Sequence, residues 1–495
     1  MNFKMIKQLP IFLRRENMSD AIAITHAIKD KVYSPKEVVQ YYINQLKKYN
    51  EMYNVLADER FDEALEDAKH VDIHRPFAGV PILTKDLHQS VKGLKSSQGS
   101  KLLKDNIALK DDCFVQRLKQ LGFIILASTS VPEFGLKYVS DSQLYGTVHN
   151  PLNPYFHAGG SSGGAASAVK ANLIPLATAS DAGGSIRVPA SFCGLAGLKP
   201  SRGAMPIGPL RWRAWQGAGT SFALTSSVRD MKLLYYHLQA QQIESPFKAQ
   251  RQSYAHLYES PLQAPLKMAY SLTDYKGHAY GRDAQEAILE AVELLRSLGH
   301  IVEEVTFPFQ SREDLLLMYG RLMASETAAS FTSIEEKRGR AVQVGEVEAS
   351  SYVIARYGIT IPAYQLSLDI NQWDQLAAKA CQFFTDYDAF IYPSTSVTAP
   401  ASQEKFPNEK LLTGISYDAL SNDDYIRLGK EAIRQITSLS PQAYLANMTG
   451  LPAISLPLYK NAESHMPIGV EFMAGKNKDN LLLLLAESLE PYFKK

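Results

Sequence analysis

The sequence has few cysteines, and the three that it has point away from disulfide or metal chemistry. Cys113, Cys193 and Cys381 are far apart, and none stands in a CxxC motif or a Cys/His cluster. An odd number of scattered cysteines argues against a disulfide framework and against a zinc site. It favours a reducing compartment, so we expect a cytoplasmic protein.

An excess of one charge and long apolar runs are also missing. Lysine plus arginine (52) and aspartate plus glutamate (51) nearly cancel over 495 residues, so no global field favours nucleic acid or an anionic membrane. Apolar runs such as 124–127 and 481–486 are far below the roughly 20 residues that a membrane span needs. The stretch 1–19 is broken by Lys7 and Pro10 and lacks a signal-peptide core. We predict no nucleic-acid or membrane partner.

What the sequence does contain is an alternation of helical and strand patterns. Ser34, Pro35 and Glu37 form a capping sequence ahead of apolar residues at helical spacing, so a helix begins there. From residue 78 the chain changes to short apolar strands, at 80–83 and 123–127, separated by helical runs. This alternation predicts an α/β fold.

We expect one domain, which the sequence divides into four parts. These are a helical layer at 1–75, a core at 76–235, a variable and partly helical insertion at about 240–440, and closing strands with a C-terminal helix at 441–495. Local patterns predict further strands at 266–271, 300–306, 386–393, 447–458 and 467–473, and helices at 19–29, 58–69, 283–298, through much of 311–367 and from about 479.

Three segments concentrate polar groups that packing does not need: GVPILTKD at 79–86, GGSSGG at 159–164 and DAGGSIR at 181–187. Alone, the first is more often a solvated strand end and the second a turn. In the third, two glycines before Ser185 leave backbone N–H groups free to converge on one point, as an oxyanion hole requires. No Lys-Ser/Thr follows the glycines, which disfavours phosphate binding.

A serine nucleophile needs a base, and His157 is the only histidine in or beside the two serine loops. A single loop histidine is more often structural, which leaves Lys85. An ordinary lysine has a pKa of about 10.4, so burial must lower it to roughly 7 for efficient proton transfer at neutral pH. The apolar strand before Lys85 agrees with burial, while the adjacent Asp86 complicates the electrostatics.

The segments 79–86, 159–165 and 180–200 resemble sequences of the amidase signature family. The run SDAGGSIRVPASFCGLAGLKPSRG at 180–203 is similar to its most diagnostic stretch, and the motif wording is closest to the 6-aminohexanoate-cyclic-dimer hydrolase-like amidases. Ala158 and Ser180 replace a common proline and threonine, but neither change removes a reacting group. The resemblance implies a large central mixed β-sheet covered by helices on both faces.

The resemblance also implies a role for each matching residue. Ser185 corresponds to the acylated nucleophile, Ser161, 24 residues earlier, to the bridging serine, and Lys85 to the terminal base. The Gly160–Ser161 peptide bond is expected to be cis. The oxyanion hole is assigned to the amides of Ala182, Gly183, Gly184 and Ser185, and supporting roles fall to Ser162, Asp181 and Arg187.

The implied reaction is hydrolysis of a carboxylic amide. Neutral Lys85 takes a proton from Ser161 as Ser161 takes one from Ser185, and an acyl-enzyme forms and is released by water. We expect a small-molecule amide substrate, no metal or organic cofactor, and a homodimer as a possible assembly. Aromatic-rich stretches at 211–215 and 392–395 are candidates for shaping the pocket.

Three alternatives stay open. Gly159, Ser161 and Gly163 also fit the nucleophile elbow of α/β-hydrolases, but NPLNP at 150–154 stands where that fold needs a strand. Within the family, the chain could be an amidotransferase A-type subunit that supplies ammonia in a tRNA-dependent complex. It could also be a non-catalytic binding protein on the same scaffold. The presence of Lys85, Ser161 and Ser185 together argues against a loss of catalytic activity.

Overall fold

The computed structural model describes residues 20–262, 265–309 and 314–494, so the stretch 1–19 lies outside the described residues. Its helix α2 (Pro35–Tyr53) begins at the predicted cap. Ser34 Oγ accepts the Glu37 N–H at 3.3 Å, and the Glu37 carboxylate accepts the Ser34 N–H at 2.8 Å. The capping prediction is confirmed, because both unpaired donors of the first turn find acceptors.

Helices and strands alternate along the described residues. Besides α2, the helices are α1 (Ala21–Lys29), α3 (Phe61–Asp67), α4 (Cys113–Gln120), α5 (Gly163–Lys170), α6 (Arg187–Cys193), α7 (Val228–Leu238), α8 (Arg282–Ser297), α9 (Leu315–Arg338), α10 (Ala349–Ile359), α11 (Ala363–Phe383), α12 (Asn422–Ile436), α13 (Tyr444–Thr449) and α14 (Asp479–Leu489). The strands are β1 (Leu56–Glu59), β2 (Pro81–Lys85), β3 (Ile124–Thr129), β4 (Asp141–Ser142), β5 (Gly146–Thr147), β6 (His149–Asn150), β7 (Asn153–His157), β8 (Leu176–Asp181), β9 (Gly197–Lys199), β10 (Thr220–Thr225), β11 (Lys267–Tyr270), β12 (Ile301–Glu304), β13 (Ala389–Pro393), β14 (Ala453–Lys460) and β15 (Pro467–Ala474).

The predicted mixed α/β fold is confirmed, with its strands divided between two large sheets. The first has the order β1-β3-β2-β8-β10, in which β3, β2 and β8 are parallel and both edge strands are antiparallel. The second has the order β12-β11-β13-β15-β14-β9 and is antiparallel from β13 onward. The edge strands β10 and β9 lie side by side, so the two sheets are neighbours.

Some predicted elements differ from the structure. The helix expected at 58–69 begins only at Phe61, because Leu56–Glu59 pairs with β3 as an edge strand. The strand expected at 447–458 begins only at Ala453. Residues 447–449 belong to α13, which ends at Gly450 in the left-handed conformation (φ 74°) that glycine readily adopts. Helix α8 has no side-chain cap.

Two apolar cores flank the region where the functional residues meet. One surrounds the first sheet, α8 and part of the second sheet, and the other joins helices α9 to α13 with β13. Helices α9 and α10 confirm the helical prediction for 311–367, except that 311–313 lie outside the described residues. Across the described ranges, none of the helices combines the length and apolar character that a bilayer crossing requires.

The topology brings the three predicted segments to one place. Lys85 ends β2 and Asp181 ends the neighbouring parallel strand β8, so both lie at the carboxyl edge of the first sheet. Ser161 lies just before α5, and Ser185 just before α6. Loops at this edge of a parallel sheet are where α/β proteins commonly bind ligands.

Candidate active site

Lys85 is almost completely buried and contacts both serines of the first serine loop. Its Nζ lies 2.8 Å from Ser161 Oγ, 2.8 Å from Ser162 Oγ and 3.2 Å from the carbonyl oxygen of Ser180. The Lys85 backbone N–H donates to Thr178 Oγ1 at 3.0 Å, which fixes the lysine at the end of its strand. An ammonium group donates three hydrogen bonds, and a neutral amine donates two and accepts one, so these three oxygens can satisfy Lys85 in either protonation state.

Burial lowers the pKa of Lys85 to about 7, although the negative charge of Asp181 opposes this effect. The adjacent Asp86 points elsewhere, since its carboxylate accepts hydrogen bonds from the Ser97 N–H at 3.0 Å and from Ser97 Oγ at 2.5 Å. Burial raises the pKa of Asp86 to about 6. A buried amine with a pKa near neutrality can take up and return a proton at physiological pH.

Ser161 and Ser185 line the same cavity, which has a volume of about 750 Å³. The Gly160–Ser161 peptide bond is cis, as the family resemblance implied. Lys85 and Ser162 are not among the residues that line the cavity, so among the described residues they form the layer behind Ser161. The structure thus presents two hydroxyls to the cavity and keeps the amine away from it.

The amides assigned to the oxyanion hole are not equivalent. Ala182 and Gly183 line the cavity, but the Gly184 N–H donates to Asp181 Oδ1 at 2.7 Å. Gly184 has a φ of 126°, a conformation that other residues rarely adopt, and it turns the amide toward the carboxylate. The predicted contribution of Gly184 therefore needs correction, because its donor is already engaged by a buried anion. Among the described residues, the backbone N–H groups of Ala182, Gly183 and Ser185 have no hydrogen-bond acceptor. They can therefore donate to a ligand.

Asp181 and Arg187 form a fully buried ion pair behind the Ser185 loop. Arg187 Nε donates to Asp181 Oδ2 at 3.0 Å, and Nη2 donates to Oδ1 at 3.0 Å. Burial alone would raise the pKa of Asp181, but the charge and hydrogen bonds of Arg187 hold it well below its usual range. The same carboxylate accepts the N–H groups of Gly184 and Ile186 on either side of Ser185, so it fixes the backbone of the loop.

The ion pair has two further side-chain partners that the sequence did not reveal, Asn447 and Glu471. Asn447 Oδ1 accepts from Arg187 Nη2 at 2.7 Å, and Asn447 Nδ2 donates to Asp181 Oδ1 at 2.8 Å. Arg187 Nη1 also contacts Glu471, whose carboxylate accepts from Tyr392 Oη at 2.6 Å. A single acidic residue within the apolar strand 467–473 was the one signal in the sequence that pointed to Glu471.

The alternative base and the elbow interpretation do not fit these contacts. His157 is buried, with Nε2 3.0 Å from the carbonyl oxygen of Glu404, and it does not line the cavity. A strand, β7, does precede the loop, contrary to the prediction from 150–154, but it belongs to a two-stranded ribbon with β6, extended by one isolated bridge between Phe156 and Ala401, and not to a large sheet. The group that contacts Ser161 Oγ is an amine rather than the imidazole that an elbow would need.

The two aromatic stretches have different positions. Arg211, Arg213 and Trp215 line the cavity, whereas residues 392–395 lie behind the site, where Thr395 Oγ1 is 2.9 Å from Ser191 Oγ. Within the described part of the chain, no cluster of three His, Cys, Asp or Glu side chains could hold a metal ion. Cys113, Cys193 and Cys381 are free thiols.

Comparison with known proteins gives matches along nearly the whole chain. Residues 37–483 match the family model described as Amidase. A lipoamidase of Enterococcus faecalis is 32% identical over 476 residues, which are 95% of this chain, and the chain spans 63% of that protein's length. The A-type subunit of the Thermus thermophilus glutamyl-tRNA(Gln) amidotransferase is 29% identical over 497 residues, covering 94% of this chain and 96% of that protein.

The fold comparison agrees with the sequence comparison. The structure of a 6-aminohexanoate cyclic dimer hydrolase complexed with substrate has a TM-score of 0.85 to this chain and is 28% identical to it. The match covers 96% of this chain and 97% of the hydrolase. The family model, the relatives and the shared fold together show that this chain belongs to the amidase signature family.

Proposed function

We propose that the protein hydrolyses a carboxylic amide through an acyl-enzyme on Ser185. The observation that carries this proposal is the buried Lys85, whose Nζ lies 2.8 Å from Ser161 Oγ at the wall of the cavity that Ser185 also lines. A lysine with a pKa of about 7 is neutral in roughly half of the molecules at neutral pH. It can therefore act as a general base without help from a histidine.

The proton moves along a short relay. Ser161 passes its proton to Lys85 Nζ and takes one from Ser185, whose Oγ then attacks the carbonyl carbon of the amide. When the C–N bond breaks, the lysine returns its proton through Ser161 to the leaving amine. Water then enters and attacks the acyl carbonyl while it loses a proton to the same relay, and the relay returns that proton to Ser185 Oγ as the C–Oγ bond breaks and the acid leaves.

Backbone amides stabilise the negative charge that develops on the carbonyl oxygen. The N–H groups of Ala182, Gly183 and Ser185 are the donors that we assign to this oxyanion, because Gly184 already donates to Asp181. Asp181 and Arg187 hold these amides in place from behind, and Ser162 orients Lys85 through its 2.8 Å contact. Donors fixed before the reaction stabilise the transition state most, since they need not reorganise.

The test is to replace Ser185 and to label it. We expect Ser185→Ala to lose amide hydrolysis over a panel of aliphatic, aromatic and cyclic amides, while Ser297→Ala, on an outer turn of α8, keeps it. A serine-directed fluorophosphonate should attach to Ser185, as peptide mass analysis would show. Full activity of Ser185→Ala, or labelling of Ser161 instead, would contradict the assignment.

A second candidate is the ammonia-supplying role of an amidotransferase A-type subunit, which the similarity to the Thermus thermophilus protein favours. Such a subunit hydrolyses glutamine and works in a complex. We expect the purified chain to cleave non-glutamine amides without partners. Glutamine hydrolysis that appears only when other proteins copurify with the chain would favour the amidotransferase role instead.

We further propose that residues 1–495 form one domain with the four predicted parts, that the protein is cytoplasmic, and that any assembly is a homodimer. The ion pair between Arg187 and Glu471 supports one domain, because it joins the core to the closing strands. Limited proteolysis tests the single domain, and sedimentation analysis tests the homodimer. Cell fractionation tests the cytoplasmic location. Release of a stable fragment that contains only 76–235 would contradict the single domain.

A further inference from the structure

The cavity that Ser161 and Ser185 line has an unusual charge balance. The whole chain is nearly neutral, with 52 basic and 51 acidic residues. The cavity lining, in contrast, includes six basic side chains and two acidic ones, and these are Lys110, Arg202, Arg211, Arg213, Lys337, Arg338, Asp112 and Asp181. A concave surface lined by charges of one sign concentrates a ligand of the opposite sign.

Several of these charges already have partners within the protein. Arg202 donates to the carbonyl oxygens of Gly217 and Met448, each at 2.7 Å, and Arg338 pairs with Glu346 at 2.7 Å. Both acids are occupied too. Asp112 accepts the Ser90 N–H at 2.9 Å, and Asp181 pairs with Arg187, as described above. These groups serve the fold.

Lys110, the sixth basic residue, interacts electrostatically with Asp112. Arg211, Arg213 and Lys337 are different. Over 20–262, 265–309 and 314–494, no carboxylate lies within ion-pair distance of any of the three. Within these described ranges, Arg211 donates only to Ser330 Oγ, at 3.4 Å, and Arg213 lies over the ring of Phe247 at 5.8 Å. All three side chains are exposed at the mouth of the cavity, so their charge is available to a ligand.

One of these charges acts close to the reacting groups. His88 lines the cavity three residues beyond Lys85 and is accessible to solvent through it. Desolvation inside the cavity, followed by the charges of Arg211 and Lys85, lowers the pKa of His88, so the imidazole is neutral at physiological pH. The charges of Arg211 and Lys85 thus both act on the imidazole of His88. This places Arg211 near the position of the scissile amide in the proposed reaction.

We propose that Arg211 and Arg213, with Lys337 beside them, bind a carboxylate of the substrate, so that the protein acts on amides whose acyl or amine part carries a carboxylate. This inference rests on the proposed amide hydrolysis. Guanidinium groups match the planar geometry of a carboxylate. The apolar side chains of Leu109 and Leu210, exposed in the same cavity lining, suit a methylene chain between the carboxylate and the amide.

The test compares matched substrates. On the acyl side, glutaric acid mono-4-nitroanilide is compared with 5-methylhexanoyl-4-nitroanilide, in which an isopropyl group replaces the carboxylate. On the amine side, butyryl-4-aminobenzoate is compared with butyryl-4-isopropylanilide. We expect kcat/KM to favour the charged member of at least one pair by about tenfold, the effect of one charge-assisted contact. Added salt should reduce this preference, because ions screen charges at an open mouth.

Variants show whether Arg211 and Arg213 cause the preference for the charged substrate. The double variant Arg211→Gln/Arg213→Gln should bring the ratio of kcat/KM for the charged and the neutral substrate close to one, because it removes the two guanidinium groups that distinguish them. Arg282→Gln removes an exposed arginine of α8 that pairs with Glu286, and it should leave the ratio unchanged. Preference for the neutral member in both pairs, or an unchanged ratio in the double variant, would overturn the proposal.

Binding separates this inference from the catalytic proposal. In Ser185→Ala, calorimetry should show that the charged member of the favoured pair binds about tenfold more tightly than its neutral analogue, and that Arg211→Gln/Arg213→Gln abolishes the difference. If this binding is present but the unaltered protein releases no amine, amide hydrolysis is wrong and the carboxylate site stands. If amines are released and the charged member binds no more tightly in either pair, the carboxylate site is wrong.

Discussion

Arg187 Nε lies 3.0 Å from Asp181 Oδ2, and neither side chain is exposed to solvent. Replacing Arg187 by glutamine leaves two buried carboxylates, those of Asp181 and Glu471, without their cation. Removing one partner of a buried ion pair typically costs about 3–5 kcal/mol. We expect Arg187→Gln to lower the free energy of unfolding by an amount in this range, as measured by urea denaturation.

An exposed arginine provides the control for this variant. Arg282 also pairs with a carboxylate, that of Glu286 at 2.7 Å, but its side chain is 87% exposed. Arg282→Gln should therefore leave the urea midpoint nearly unchanged, because solvent screens such a pair. Equal destabilisation by the two substitutions would show that burial does not set the strength of the Arg187 pair.

The pKa of about 7 for Lys85 predicts the pH profile of the reaction. The amine must be neutral to accept a proton, so kcat/KM for a neutral amide should rise with pH below about 7 and level off above it. Lys85→Arg keeps a positive charge but removes the base, and we expect a loss of about 10²- to 10⁴-fold across the whole range.

A second buried group whose pKa is shifted toward neutrality serves as the control for the pH profile. Burial and the charge of Glu348 raise the pKa of Glu133, but the Glu133 carboxylate accepts from Ser100 Oγ at 2.7 Å and does not line the cavity. Glu133→Gln should keep the midpoint of the profile. If the midpoint moves in Glu133→Gln, then Glu133 rather than Lys85 is the group whose titration sets the pH profile.

The two serines beside Lys85 should differ in importance. Both hydroxyls lie 2.8 Å from Nζ, but only Ser161 lines the cavity. We expect Ser161→Ala to lower kcat by about 10²-fold or more, as the loss of a proton-transfer group does. Ser162→Ala should cost about tenfold, the effect of one lost hydrogen bond of roughly 1.4 kcal/mol. The reverse order of kcat values would make Ser162 the relay.

Gly183 is in close contact with Tyr319, which allows a test of the proposed oxyanion donors. A Cβ atom at residue 183 would lie 1.9 Å from Tyr319 Oη and 2.6 Å from its Cζ, so something must shift. We expect Gly183→Ala to lower kcat by about 10²-fold, the usual effect of losing one oxyanion donor. Adding Tyr319→Phe should restore part of kcat, because the nearest atom is gone. No recovery in the double variant would mean that Tyr319 is not the obstacle.

Sequence reasoning succeeded where the signal is local. The cap of α2 and the start of α14 at Asp479 follow from residues that are neighbours in the chain. The burial of Lys85 also has a local cause, since the apolar run 80–83 places it at the end of a covered strand. These features need no knowledge of distant contacts.

The partners of the ion pair could not be predicted in the same way. Asn447 bonds Arg187 across 260 positions, and Glu471 contacts it across 284. One polar residue in an apolar segment does not reveal which distant charge it will meet. The engagement of the Gly184 amide was missed for a related reason, because the sequence shows the glycine but not the acceptor that its N–H will find.

The contact between Arg187 and Glu471 also has a consequence for the order in which the protein matures. The carboxylate on β15 is made 284 positions after the arginine that fixes the Ser185 loop. Until β15 is made, Arg187 can pair with Asp181 but lacks the second of its two anions. The Ser185 loop therefore gains the full set of ion-pair partners behind it only once β15 has been made.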